Sequence, residues 1–173
     1  GISMITIQLQ GAWGHSSDPS LGANALDAMH RVMGELIAMR EELAAANQNN
    51  ASAVNVPTMN LGCMHAGDNP NRICGHAALQ IDLRLLPGMD SETIHEALEQ
   101  RISAVLASTG VSLKLHKAYQ PIPPFQSDPN GELLGALSDL SGNQPGTVAF
   151  GTEALFMQTP GMETVVWGPG SID

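Results

Sequence analysis

Ile5, Ile7 and Leu9 alternate with Thr6, Gln8 and Gln10. That period of two places three aliphatic side chains on one face of a strand and leaves the other face polar. After a loop from Gly14 to Gly22 the period changes. Leu26, Met29, Val32, Met33, Leu36, Ile37, Met39 and Leu43 recur at helical spacing over about five turns, and the polar run from Asn47 to Asn50 ends the helix. Alternation returns at Met59, Leu61 and Cys63. The loop HAGDNPNR, residues 65 to 72, is rich in turn formers and leads into the strongest strand pattern of the chain. There Leu79, Ile81, Leu83 and Leu85 share one face, while His76, Gln80, Asp82 and Arg84 occupy the other. Pro87 and Gly88 stop this strand, Asp90 or Ser91 is the cap of a second helix, and Ile94, Leu98, Ile102, Val105 and Leu106 form that helix's apolar stripe. Beyond Gly110 a short strand carries Val111, Leu113 and Leu115.

The order strand, helix, strand, strand, helix, strand predicts an α+β, ferredoxin-like domain: four antiparallel strands with both helices on one face. It closes near His116, so residues 1–116 are read as one domain. KAYQPIPPFQSDP, residues 117 to 129, carries four prolines and reads as a crossover between domains. One helix follows, with Leu133, Leu134, Leu137 and Leu140, then strands are expected near Thr147 to Phe150 and Thr164 to Trp167. Two strands and one helix cannot enclose a core alone. Residues 117–173 are therefore expected to be an incomplete α/β segment, with Val148, Phe150, Val165, Val166 and Trp167 placed to pack on strands outside it.

Composition narrows the function classes. Of 173 residues, 43% are apolar but only 3% aromatic, so aliphatic and methionine side chains must do the packing. Seven Lys and Arg against 17 Asp and Glu give a net charge of −10, which repels rather than steers a phosphate-rich partner and excludes nucleic acid. The two cysteines, Cys63 and Cys74, lack CxxC spacing or a secreted framework and read as reduced thiols. No apolar run approaches ~18 residues, and no basic-then-apolar segment opens the chain. The expectation is a soluble cytoplasmic protein with no membrane partner.

Six histidines raise a metal hypothesis, but none stands in HExxH, HxH or a paired Cys/His pattern. His30, His95 and His116 are expected on the surface. No phosphate loop or GxSxG elbow is present.

The order of motifs says more than their spacing. GHSSDPSLGANAL, GDNPNRICGHAALQIDLRLLPGM, FGTEA and WGPGS resemble, at four separated places and in the same order, the acetylornithine deacetylases of the dinuclear-zinc aminoacylase and carboxypeptidase family. The resemblance implies a ferredoxin-like lid, through which subunits dimerise, inserted into a zinc-binding α/β domain. It places His15 where the family's trans-acting histidine crosses the dimer and polarises the scissile carbonyl, an oxyanion-stabilising role. Asn71 corresponds to an asparagine of the same trans site. Arg84 corresponds to the arginine that holds the substrate's α-carboxylate, a task suited to a planar guanidinium fork. Thr152 and Glu153 match a turn near the active site, and Gly168, Gly170 and Ser171 match a loop lining the substrate pocket. The readings from local chemistry alone are a turn histidine bonded to Ser16 or Asp18, a turn asparagine, an Arg84–Asp82 pair or a solvated strand face, and strand-end polar residues at 152 and 153.

The family's zinc ligands and its general-base glutamate fall in motifs this chain does not carry. The implied cofactor is zinc, or cobalt, in the parent enzyme, with none expected for the chain itself and no metal-ligating residue assigned. The implied partners are a second copy of the lid and a small N-acyl amino acid substrate. Related deacylases, such as succinyl-diaminopimelate desuccinylase, and a non-enzymatic ferredoxin-like dimerisation or binding module remain the alternatives.

Overall fold

The computed structural model describes residues 1–49, 54–148, 151–158 and 161–168. Strand β1 (Ile2–Gln10) is central, hydrogen-bonded on one side to β5 (His76–Arg84) and on the other to β6 (Ser112–Lys117), with β3 (Thr58–Ala66) outside β5. Every pairing is antiparallel, in the order β3-β5-β1-β6. Helices α1 (Ala25–Ala46) and α2 (Ser91–Leu106) join Ile5, Ile7, Leu9, Leu79, Ile81 and Leu83 in one buried cluster, so both pack on the same face. This is the expected ferredoxin-like sandwich.

Side chains mark its boundaries. Asn24 opens α1 by accepting from Leu26 N and Asp27 N at 3.0 and 3.3 Å, and Asn47 closes it by donating from Nδ2 to Leu43 O at 2.9 Å. Asp90 opens α2, accepting from the Thr93 amide and hydroxyl at 2.8 and 2.7 Å. Those bonds hold its carboxyl below the ordinary aspartate value. Arg101 of α2 ties the helices together through Glu35 and Glu42 of α1.

Three expectations are corrected. Alternation along β3 fails at Gly62, where a bulge between Leu61 and Cys63 advances the register by one residue. Met59 is buried as expected, but Cys63 is exposed. His95 is not on the surface: it is buried, and its Nε2 lies 2.8 Å from Ser3 Oγ. Its spacing from Leu98, Ile102 and Leu106 puts it on the helix's buried stripe, and Ser3 of β1 supplies the partner a buried ring needs. His30 and His116 are exposed.

The third correction concerns residues beyond β6. Helix α3 (Glu132–Ser141) forms, and a short helix α4 (Ala154–Gln158) follows, but residues 147–148 and 164–167 are not strands. An extended segment becomes a strand only where a neighbouring backbone pairs with it in a ladder, and among the described residues no strand of either sheet runs beside these. Phe150, and with it residue 149, lies outside the described residues. The apolar side chains here are largely uncovered: Leu140 is 76% exposed, Phe156 and Trp167 63%. The segment is tied to the sandwich through its crossover, where Ile2 and Ile122 exchange backbone bonds of 2.8 and 2.9 Å.

Candidate functional site

The chain leaves β1 through a passage too narrow for a side chain: a Cβ at Gly11 would stand 2.0 Å from Ala23 O. It then forms the two-residue strand β2 (Gly14–His15), paired with β4 (Arg72–Ile73), and Ser16 N donates to Asn71 O at 3.0 Å. Two loops distant in sequence thus bring His15 and Asn71 together, both exposed. The His15 ring is bonded locally, but to Ser17 rather than Ser16 or Asp18. The Ser17 amide donates to Nδ1 at 3.2 Å, and the Ser17 hydroxyl lies 2.7 Å from the same atom. An Nδ1 that accepts an N–H bond has no proton, so neutral His15 carries its proton on Nε2 and offers that N–H as a donor. Asp18 is committed elsewhere: it accepts from Ser20 N and Oγ at 3.0 and 2.6 Å, which keeps its carboxyl below the usual value.

Arg84 ends β5 at the opposite edge of the fold, paired with Ile2 of β1 and Thr58 of β3. Residues two apart on a strand share a face, and Arg84 gives Nε and Nη2 to Asp82 Oδ2 at 3.0 and 2.9 Å. The local ion pair is therefore the contact this guanidinium makes. The other Asp82 oxygen is buried without a hydrogen-bond partner. Arg84 opens into a cavity of about 700 Å³, whose walls include Ile122, Phe125, Thr152, Trp167 and Gly168. Thr152 accepts from Ala154 N at 3.3 Å, capping α4. Glu153 is exposed and does not line the cavity. Gly170 and Ser171 lie outside the described residues.

The candidate residues thus fall into two groups. His15 and Asn71 stand beyond the Gln10 end of β1, whereas Arg84, Thr152 and Gly168 stand at its Ile2 end. Eight residues of antiparallel strand separate the pairs Ile2↔Arg84 and Gln10↔His76, which at about 3.4 Å per residue is roughly 27 Å. The cavity wall contributed by Ile122 and Phe125 was hidden in sequence by the proline-rich stretch, which reads as a linker. The alternation of Ile122 with prolines is the one local hint that this stretch runs along a strand. Among the described residues no group of three or more His, Cys, Asp or Glu side chains is placed to hold a metal ion. No helix among them is long and apolar enough to cross a membrane.

Residues 1–110 match the model of the peptidase dimerisation domain. The chain belongs to that family. The dimerisation domain and the segment after it together resemble acetylornithine deacetylases: that of Edwardsiella ictaluri is 38% identical over 167 residues, 96% of this chain and 43% of that protein. The enzyme of Pectobacterium atrosepticum shows the same identity and coverage. The chain therefore spans less than half the length of these curated relatives. Among solved structures, a tripeptidase from Staphylococcus aureus superposes with a TM-score of 0.65 at 16% identity, covering 94% of this chain and 41% of that one. A hydantoinase/carbamoylase family amidase from Burkholderia ambifaria gives 0.65 at 18%, covering 90% and 37%. At those identities the likeness is one of fold.

Proposed function

We propose that the chain is the dimerising lid, residues 1–116, and part of the returning catalytic segment, residues 117–173, of a cytoplasmic zinc-dependent amidohydrolase that converts N-acetyl-L-ornithine to ornithine and acetate in arginine biosynthesis. The observation that carries this reading is the separation of two complementary recognition groups by the length of one sheet. Arg84 lines a cavity at one end of β1, and an imidazole N–H donor stands beyond the other, the two ends being roughly 27 Å of strand apart. That span far exceeds an acetylated amino acid, so one chain cannot apply both groups to one substrate. A twofold dimer can, because each site then takes its guanidinium from one subunit and its imidazole from the other.

In this reading Arg84 exchanges Asp82 for the substrate's α-carboxylate, and its planar fork sets the amino acid's orientation. Asp82 holds the fork through Nε and Nη2 until the carboxylate arrives. The partner's copies of His15 and Asn71 approach the acyl group, and the Nε2 proton of His15 bonds to the carbonyl oxygen as negative charge develops there. Thr152, Glu153, Gly168, Gly170 and Ser171 belong to the pocket's return side. The described side chains do not form a metal site. In this reading the zinc, or cobalt, is held by the family's metal-ligand motifs, which the resemblance places outside this chain.

The test is amide hydrolysis by the full-length protein with N-acetyl-L-ornithine and N-succinyl-diaminopimelate offered in parallel. Release of acetate is expected, with His15→Ala lowering kcat about 10²-fold and Arg84→Gln acting chiefly on KM. Preference for the succinyl substrate would move the assignment to the desuccinylases. A metal-loaded, dimeric protein that hydrolyses neither would leave a dimerisation module without this activity.

A further inference from the structure

The loop that carries His15 is held by little backbone. β2 and β4 contain two residues each, joined at Gly14↔Ile73 and His15↔Arg72, with the Ser16–Asn71 bond continuing the contact. So short a ladder does not persist unaided in water. Ile73 secures the Gly14 end from within: it is buried, and its Cδ1 would stand 2.8 Å from a Cβ at Gly14. At the His15 end the fastening is made by exposed side chains. Arg72, directly across the ladder from His15, donates from Nη1 to Asp68 Oδ2 at 2.6 Å, and its guanidinium carbon stands 5.9 Å from the centre of the Trp13 ring. The indole rests against Gly75, where a Cβ would meet Cδ2 and Cε2 at 2.5 Å and Nε1 at 2.6 Å. Near-equal approach to three ring atoms means that the ring lies with its face on the Gly75 backbone. Trp13 precedes His15 by two residues and Asp68 precedes Asn71 by three, so one clamp grips both loops beside both residues.

We propose that Trp13, Arg72 and Asp68 are positioning residues: they fix the His15 imidazole beside Asn71, so that a twofold partner receives the pair as one preformed unit. The inference rests on the reading of His15 as a donor to the acyl oxygen. A donor stabilises developing charge only if its direction is set beforehand, since reorienting it during the reaction forfeits the gain. Neither Arg72 nor Trp13 contributes to the buried core. Their loss is therefore expected to loosen the loop without unfolding the domain.

The first measurement is amide hydrogen exchange on this chain, following Ser16, whose N–H bonds to Asn71, with Ile7 of β1 as the internal reference for global opening. Arg72→Gln and Trp13→Leu are each expected to speed Ser16 exchange about fivefold, the scale of an exposed cation–π contact and a surface ion pair, with Ile7 unchanged. Trp13→Phe, which keeps an aromatic face on Gly75, should restore most of the protection. Unaltered Ser16 exchange in both truncating variants overturns the clamp. The second measurement is steady-state hydrolysis of N-acetyl-L-ornithine by the full-length protein. There kcat should fall in the order of exchange rates, with Trp13→Phe above Trp13→Leu, while KM stays near the wild-type value. A loosened loop with unchanged kcat overturns the positioning role. A wild-type protein that hydrolyses no N-acyl amino acid overturns the parent reading instead, and the exchange data still decide whether the clamp exists.

Discussion

If Arg84 and His15 serve one substrate only across a dimer, two inactive variants should repair each other, and the recovery is fixed by counting. In full-length protein, His15→Ala leaves each subunit with a good guanidinium and no imidazole donor; Arg84→Ala does the reverse. A mixed dimer therefore has one site with both groups intact and one with neither. Random exchange of equal amounts makes half the dimers mixed, so about one quarter of wild-type kcat/KM, measured at substrate well below KM, should return. Each variant alone should retain on the order of 1% or less of wild-type kcat/KM, through kcat when a preorganised oxyanion donor is removed and through KM when a bidentate carboxylate anchor is removed. The roughly 27 Å of strand between the two groups gives the arithmetic its force, because no loop movement of ordinary size brings them together within one chain. The assay is acetate release after the variants are mixed, mildly dissociated and reassociated, with native mass spectrometry on size-tagged subunits reporting the mixed dimer. Activity that stays at the level of the separate variants, in a sample shown to contain mixed dimers, would place both residues in the same subunit's site or outside the chemistry.

Three further outcomes follow from the fold. Leu98 is completely buried between α2 and the sheet, and Leu98→Ala should cost about 3 kcal/mol, read as a lower urea midpoint at unchanged slope. Burial, reinforced by nearby Lys117 and opposed by Glu92 and Asp90, holds the His95 pKa below its ordinary value of 6.5. The unfolded chain then takes up a proton at His95 that the folded chain resists. This contribution to stability is complete above about pH 6.5 and is lost as pH falls from there toward the depressed folded value; urea titrations at pH 7.5 and 5.5 should show the decline, and His95→Gln should flatten it. Gly11→Ala would drive a Cβ to 2.0 Å from Ala23 O, disrupting the paired Ala12–Ala23 backbone bonds. A loss of about 1–3 kcal/mol is expected, seen as a lower Tm.

The sandwich was legible because its signals are periodic and self-consistent. Ile5, Ile7 and Leu9 on one strand and Leu79, Ile81 and Leu83 on another are buried as alternation requires. The failures are places where tertiary pairing overrides a local pattern. Cys63 continues the spacing of Met59 and Leu61, but a bulge at a glycine changes which face follows, and no periodicity scan sees a bulge before the partner strand is known. His95 has the residue type of a surface position, yet its three-four-four spacing to Leu98, Ile102 and Leu106 puts it on the buried stripe. Ser3, its partner, lies 92 residues away and gives no local signal. The return segment differs: the apolar run Val165, Val166 and Trp167 has the composition of a strand but pairs with no strand among the described residues. Of the candidate site, the glycine turn and the polar strand face were visible in sequence. The Ser17 bond that fixes the His15 tautomer, and the Arg72–Trp13 contact, arise only from how the two loops fold together.

The division of the site also explains why a pairing as short as β2–β4 can serve a demanding geometry. β1 runs without a bulge from Ile2 to Gln10, paired on both sides along Ile5 to Gln10, and its inward side chains are closed in by both helices. Its length is therefore firmly set, since close-packed interiors resist small displacements. The register irregularity lies in β3, an outer strand that joins neither end of β1 directly. If two copies are related by a twofold axis, the distance from one subunit's guanidinium to its partner's imidazole depends on that fixed length and on the interface, and on nothing softer except the last few residues of the His15 loop. Errors of position accumulate in those residues alone. Fastening them with side chains at the tip, rather than extending the ladder, leaves the His15 Nε2 proton unobstructed while removing the one remaining degree of freedom.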